Sequence, residues 1–230
     1  MDNLYIIGCP RSMTSFVYKQ TVKSIGGRCG YASAGEILNP DRIGVAMTDT
    51  HYIMKNKKQN FKHWTDQGRH IREEVLQQFE ESNEFGVLKD VVVPHIVCDF
   101  VAKKECNTLL VYKDIPMIAY SCAKKGWYYP RDILDNKTND KNEDLLRAIK
   151  YMYDQYFEPL SRKSHVEIIS TGKLQESEQY LIKRLENLGY NTQSIKYITP
   201  GFKRKTRKVQ KYKDTDLYKE LSETYSTMIK

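Results

Sequence analysis

Leu4-Tyr5-Ile6-Ile7-Gly8-Cys9-Pro10-Arg11-Ser12-Met13-Thr14-Ser15, running on through Phe16 to Ile25, is the stretch on which the reading of this chain turns. Its apolar opening has the character of a buried parallel strand. Gly8 and Pro10 break that run, and an arginine and three hydroxyl residues follow. From Phe16 onward apolar and polar positions mix as they do where a helix begins. A strand, a tight loop and a helix in succession aim backbone N–H groups and the positive end of a helix dipole at an anion. Arg11 adds a full charge and a donor fork suited to phosphate or sulfate oxygens. Ser12, Thr14 and Ser15 carry hydroxyls that can donate to the same oxygens. Gly8 to Ser15, with Cys9, Pro10 and Met13 in the loop, is therefore expected to cradle a phosphate. The plain alternative is a strand-to-helix turn with an exposed arginine.

What the loop lacks narrows the choice. A nucleoside-triphosphatase loop needs Gly, four residues, then Gly-Lys-Ser/Thr. Counting from Gly8, Met13 stands at the second glycine and Thr14 at the lysine, while Ser15 fits. That disfavours ATP hydrolysis and leaves a kinase-like phosphotransferase as the rival reading of the same loop. The pattern Gly-x-Pro-Arg-Ser-x-Thr-Ser instead resembles the 5′-phosphosulfate loop of sulfotransferases, which use 3′-phosphoadenosine 5′-phosphosulfate. That family usually has glycine where this chain has Met13, a departure that matters if the position needs a positive φ.

The chain has 230 residues, enough for one well-buried core, and is read as a single domain over 1–230. No apolar run approaches a membrane span and no signal-peptide pattern opens the chain, so no membrane insertion is expected. Five cysteines without a Cys-x-x-Cys pair point to reduced thiols in a cytoplasmic setting and against a zinc site. The net charge is +8, but residues 203–213 alone carry seven basic side chains and no acid, leaving about +1 for the rest.

After the first helix come the turn Gly26 to Gly30 and then Gly35-Glu36-Ile37-Leu38-Asn39. An acid between glycine and apolar residues is a candidate for partial burial and for service as a base, against the plainer reading of a solvated loop acid. The Gly-Glu-x-x-Asn segment resembles one in bacterial carbohydrate sulfotransferases of the trehalose type. In that family the glutamate is the proposed base, which Glu36 matches. Residues 41–64 show no periodicity and are read as an irregular part of an acceptor surface. From Thr65 to about Ser82 a helix is expected with Ile71, Val75, Leu76 and Phe79 on one face and Arg72, Glu73 and Glu80 opposite. Phe85 to Asp90 reads as a second strand, its charged end where an open parallel sheet binds ligands. Lys89 there resembles the strand-end lysine that sulfotransferases place near the transferring group; an ordinary edge lysine is the alternative. His95, among apolar residues, is either a packed side chain or a second choice for proton removal.

Asn107 to Tyr112 is a third strand signal, ending in Lys113-Asp114 before a helix through Ile118, Ala119, Ser121 and Cys122. This resembles the sulfotransferase 3′-phosphate segment, with Lys113 where arginine is usual and Ser121 eight residues later. Lysine keeps the charge and loses the bidentate fork. The aromatic run Trp127-Tyr128-Tyr129 has core packing as its default, with ring stacking on a sugar or base as the alternative. Asp140 and Glu143 suggest a capping box for a helix whose apolar stripe, Leu145 to Phe157, ends at Pro159. A fourth strand at Val166–Ser170, a helix from about Gln175 to Leu188 with Gly189 at its C′ position, and a short strand at Ser194–Ile198 follow. A last helix from Asp216 is expected to dock on the domain.

The resemblance, spread over residues 4–207, implies an α/β fold: a mainly parallel sheet flanked by helices in a three-layer, P-loop-like nucleotide-binding architecture. It implies a sulfotransferase moving a sulfuryl group to a hydroxyl or amine acceptor, a small molecule or carbohydrate, with no metal. Arg11, the loop and Thr14 would hold the 5′-phosphosulfate, with Lys89 sharing that task. Lys113 and Ser121 would bind the 3′-phosphate, and Glu36 or His95 would take the acceptor proton. Arg204, Lys205 and Arg207 match a late loop that closes on the nucleotide, although the family's glycine spacing is absent. The rival from another class is nucleic-acid binding through 203–213, and a catalytically inactive adaptor of the same shape is a third reading.

Overall fold

The computed structural model describes residues 2–25, 37–38, 61–81, 85–177, 179–192 and 212–229. In it the opening apolar run is strand β1 (Leu4–Gly8), buried at every position. It pairs in parallel with β2 (Val87–Asp90) on one side and β3 (Thr108–Tyr112) on the other. β4 (Val166–Ser170) extends the sheet beyond β3, giving the order β2-β1-β3-β4, all parallel. The register sets Ile7 beside Asp90 and Gly8 beside Val111. The ends of three neighbouring strands, leading to the loop, Lys89 and Lys113, therefore meet at one edge of the sheet.

Helices cover both faces, which is why the central strands read as continuous apolar runs and not as alternating ones. On one face Leu4, Ile6, Val87, Leu109 and Val111 pack against α1 (Thr14–Ile25) and, through Leu181, Ile182 and Leu185, against α8 (Gln179–Asn187). The short α7 (Lys173–Glu176) closes the same side through Leu174. On the other face Tyr5, Ile7, Leu88 and Leu110 join a larger cluster. Its helical members come from α2 (Arg69–Glu80), α3 (Pro94–Lys104), α4 (Ile115–Ala123), α5 (Lys141–Met152), α6 (Glu158–Ser161) and α9 (Asp216–Met228). The chain is thus α/β, with a four-stranded parallel sheet between helices. Among the described residues, no helix is long and apolar enough to cross a membrane.

Most element expectations hold: Gly189 follows α8 at φ 83°, and α9 docks through the buried Leu221. The helix expected from about Gln175 to Leu188 is instead two, α7 and α8, with the backbone extended at Ser177 after α7, and three further details differ. Arg72, expected on the outer face of α2, is 1% exposed. Its guanidinium donates to Thr65 O at 3.0 Å and Lys62 O at 3.1 Å and lies over the Phe61 ring, so the preceding turn supplies what solvent would have. Asp140 caps α5 by accepting from the Asn142 and Glu143 N–H groups, but its own N–H donates to Thr138 Oγ1 and not to Glu143. The helix also does not stop at Pro159. A π-turn at Tyr153–Phe157 shifts the hydrogen bonds, the Glu158 N–H reaching back to Tyr153 O, and the chain continues as α6 through the proline. The strand expected at Ser194–Ile198 lies outside the described residues.

Candidate anion-binding site

The loop after β1 is closed from within. Ser12 donates to Cys9 O twice, through its N–H at 3.2 Å and its hydroxyl at 2.6 Å. Arg11 and Met13 have φ of 66° and 72°, the left-handed backbone in which successive N–H groups turn toward one concavity. The Met13 position is thus one that favours glycine, and a methionine there costs about 1–2 kcal/mol. Its side chain packs against the cluster on the α1 face, a contact glycine lacks. Gly8 has the opposite constraint: a Cβ there would sit 2.7 Å from Ser12 Oγ, 2.8 Å from Thr14 Cγ2 and 3.1 Å from Val111 O. The loop folds down over the space a side chain would take. α1 then starts at Thr14, and in its first turn the Phe16 and Val17 N–H groups donate to Met13 O at 2.9 and 3.1 Å.

The three hydroxyls expected to face a ligand divide. Ser12 is fully buried and its hydrogen is committed to Cys9 O, so it shapes the loop and does not line it. Thr14 is buried as well, whereas Ser15 is exposed. Ser15 Oγ accepts from Lys89 Nζ at 2.9 Å, which leaves its own hydrogen to donate elsewhere. Lys89 is itself 1% exposed.

Lys113 joins the second strand tip to the first. Its Nζ donates to Arg11 O at 2.9 Å. Its backbone is clamped by Tyr153, whose hydroxyl accepts the Lys113 N–H at 3.0 Å and donates to Lys113 O at 2.9 Å. In the sequence Tyr153 is one member of an apolar helical stripe, with nothing nearby to mark its hydroxyl. α4, capped by Asp114 accepting the Met117 N–H, passes beside the loop, and Cys122 Sγ lies 3.9 Å from Pro10 O. Burial pushes the Cys122 thiol up to about 12 against the pull of Arg11 and Lys113, so it stays protonated. Ser121, expected to share a phosphate with Lys113, is half-buried on the same helix, with no hydrogen bond to Lys113 or to the loop. Beside Lys113 a groove of about 540 Å³ runs between the start of α4 and the tyrosines Tyr218 and Tyr225 of α9.

Arg11 is exposed, and its guanidinium lies 5.4 Å from the centre of the Trp127 ring. Tyr128 and Tyr129 pack partly onto the core, as core packing of this run would have it, but Trp127 is 41% exposed. His95 is buried at the start of α3, its Nε2 3.4 Å from Asp66 and its ring against Tyr156. Burial lowers its pKa to about 4, so it is a neutral imidazole at neutral pH. No hydrogen bond links it to residues 9–15.

Backbone pairing and hydrogen bonds thus join the loop Gly8 to Ser15 with Lys89 and Lys113, and no hydrogen bond ties Ser121 or His95 to that group. Glu36, Arg204, Lys205 and Arg207 lie outside the described residues, although Ile37 and Leu38, which follow Glu36, are buried in the larger cluster. Among the described residues, no group of three or more His, Cys, Asp or Glu side chains is gathered to hold a metal. No protein-family model matches the chain, and no curated protein matches it either, so its functional reading rests on this geometry.

Proposed function

We propose that this edge of the sheet binds 3′-phosphoadenosine 5′-phosphosulfate and that the chain, a single P-loop-like domain working in the cytoplasm, is a sulfotransferase. One observation carries the reading: the tips of β1 and β3 are neighbours, and Lys113 Nζ touches the carbonyl of Arg11. The 5′- and 3′-phosphates of this nucleotide are only a few bonds apart across the ribose, so two adjacent strand tips suit them. Arg11, the loop N–H groups and Ser15 would hold the 5′-phosphosulfate, with Lys89 polarising the Ser15 hydroxyl. Lys113 would take the 3′-phosphate and so select this donor over one lacking that group.

In the transfer, the acceptor oxygen or nitrogen forms a bond to sulfur as the bond from sulfur to the bridging phosphate oxygen breaks. The acceptor proton passes to a base, and 3′-phosphoadenosine 5′-phosphate leaves with its charge met by Arg11 and the loop. Glu36 is the first choice for that base. His95, turned to Asp66 and Tyr156, is the weaker one.

Calorimetry with 3′-phosphoadenosine 5′-phosphate tests the assignment. The wild type binds it, while Arg11→Ala and Lys113→Ala each weaken binding by about tenfold or more, as loss of a hydrogen bond to a charged group does. No heat of binding to the wild type, or equal competition by ATP with magnesium, refutes it. Steeply salt-dependent binding of DNA or RNA that is lost on neutralising 203–213 would favour the nucleic-acid reading instead.

A further inference from the structure

We infer that Trp127 is the positioning residue for Arg11, an inference that rests on the anion-binding reading of the loop and deepens it. Trp127 is the one aromatic ring the Arg11 guanidinium lies over among the described residues, where it makes no hydrogen bond or ion pair. An arginine side chain has several freely rotating bonds, and left in solvent it would lose entropy on meeting a ligand. A carboxylate partner would fix it, but at the expense of its charge and its donors. A ring face avoids that cost. It takes up the flat face of the guanidinium and leaves the in-plane N–H groups free to meet an oxyanion.

The ring is itself held in register with the loop. The Trp127 N–H donates to Cys122 O at 3.0 Å after a turn in which Gly126 has φ 69°. The same residue, Cys122, presents its Sγ to Pro10 O, next to Arg11. One turn of α4 therefore locates both the loop and the ring over which its arginine lies. Trp127 is also one of few large apolar side chains exposed among the described residues, so packing into the core does not account for its place.

The test is a cycle of variants titrated with 3′-phosphoadenosine 5′-phosphate and, separately, with inorganic pyrophosphate. Trp127→Leu weakens binding about fivefold, and Trp127→Phe, which keeps a ring face, restores most of it. The double variant Arg11→Ala/Trp127→Leu binds no more weakly than Arg11→Ala alone, because the ring has nothing left to position. Melting curves of Trp127→Leu and wild type coincide. The chain has two tryptophans and Trp64 is fully buried, so the change in emission on ligand binding comes from Trp127 and vanishes in Trp127→Phe and in Arg11→Ala.

Equal affinity of Trp127→Leu and wild type, or effects of the two substitutions that multiply, overturns the inference. A wild type that binds pyrophosphate but not the nucleotide overturns the donor assignment and leaves the pyrophosphate cycle to decide the role of Trp127. A wild type that binds neither removes both.

Discussion

Replacing Tyr153 with phenylalanine isolates the clamp on the β3 tip. The ring would stay in its cluster, against Tyr112 at 5.0 Å and Phe157 at 5.1 Å, so no cavity of any size opens. What is lost is one hydroxyl that makes two hydrogen bonds to the Lys113 backbone, at 3.0 and 2.9 Å. Each is worth about 1 kcal/mol net, and a buried polar group left without a partner costs about 1–3 kcal/mol. Lys113 is half-exposed, so water recovers part of that penalty and a total near 2 kcal/mol is expected. For a chain of this size the melting temperature should fall by about 4–8 °C. Lys113 then loses its fixed direction, and affinity for 3′-phosphoadenosine 5′-phosphate falls about three- to tenfold, while affinity for inorganic sulfate changes little. Burial holds the Tyr153 phenol well above its ordinary pKa. The stability it adds is therefore complete below the usual tyrosine range and declines only as pH rises beyond it. Calorimetric melting and ligand titration of the two proteins make the comparison. A Tyr153→Phe protein that melts within a degree of wild type and binds the nucleotide as well would refute the clamp.

Gly8→Ala drives a methyl group to within 3 Å of Ser12 Oγ and Thr14 Cγ2, and the loop must lift to admit it. Nucleotide binding should be lost by calorimetry, with a stability cost of about 1–3 kcal/mol; retained affinity would show that the loop's closed form is not the binding one. His95 has a folded pKa of about 4 against 6.5 for an ordinary imidazole, and Asp66, Arg69, Arg72 and Asp99 surround it. The folded form thus binds fewer protons than the unfolded one between those values, so stability is lost as pH falls from 6.5 toward 4. His95→Phe should flatten that limb in denaturant melts, and an unchanged slope would assign the acid sensitivity to other groups.

The sheet was legible in the sequence because strands covered on both faces leave unbroken apolar runs, and Leu4–Gly8, Thr108–Tyr112 and the rest carry them. The loop was legible because Gly8, Pro10 and Arg11 break such a run in a way that few structures need. What escaped notice depends on joins between distant positions. Tyr153 sits in a helical stripe of core residues, and nothing local tells that a π-turn aims its hydroxyl at Lys113, forty residues earlier. Arg72 has the right spacing for a solvent face, and only the carbonyls of Lys62 and Thr65 reveal why it is buried. Which of Ser12, Thr14 and Ser15 faces outward is set by the left-handed turns at Arg11 and Met13. Neither residue advertises such a turn.

Lys113 departs from the arginine usual in the segment it resembles, and its surroundings give that departure a physical reason. Neighbouring strands are about 4.8 Å apart, so an anion lying across the tips of β1 and β3 has little room between the groups that grip it. The side chain at 113 must reach back to the Arg11 carbonyl and still offer charge outward. A guanidinium projects its donors in one rigid plane, and turning that fork on a carbonyl spends its bidentate geometry. An ammonium has three donors on a freely turning tetrahedral centre. Its bond to Arg11 O therefore does not fix the direction of its charge as a planar fork would. In this reading the lysine is no weakened arginine: it braces the left-handed turn at Arg11, and a phosphate drawn to the same charge would tie the shape of the first loop to the occupancy of the second.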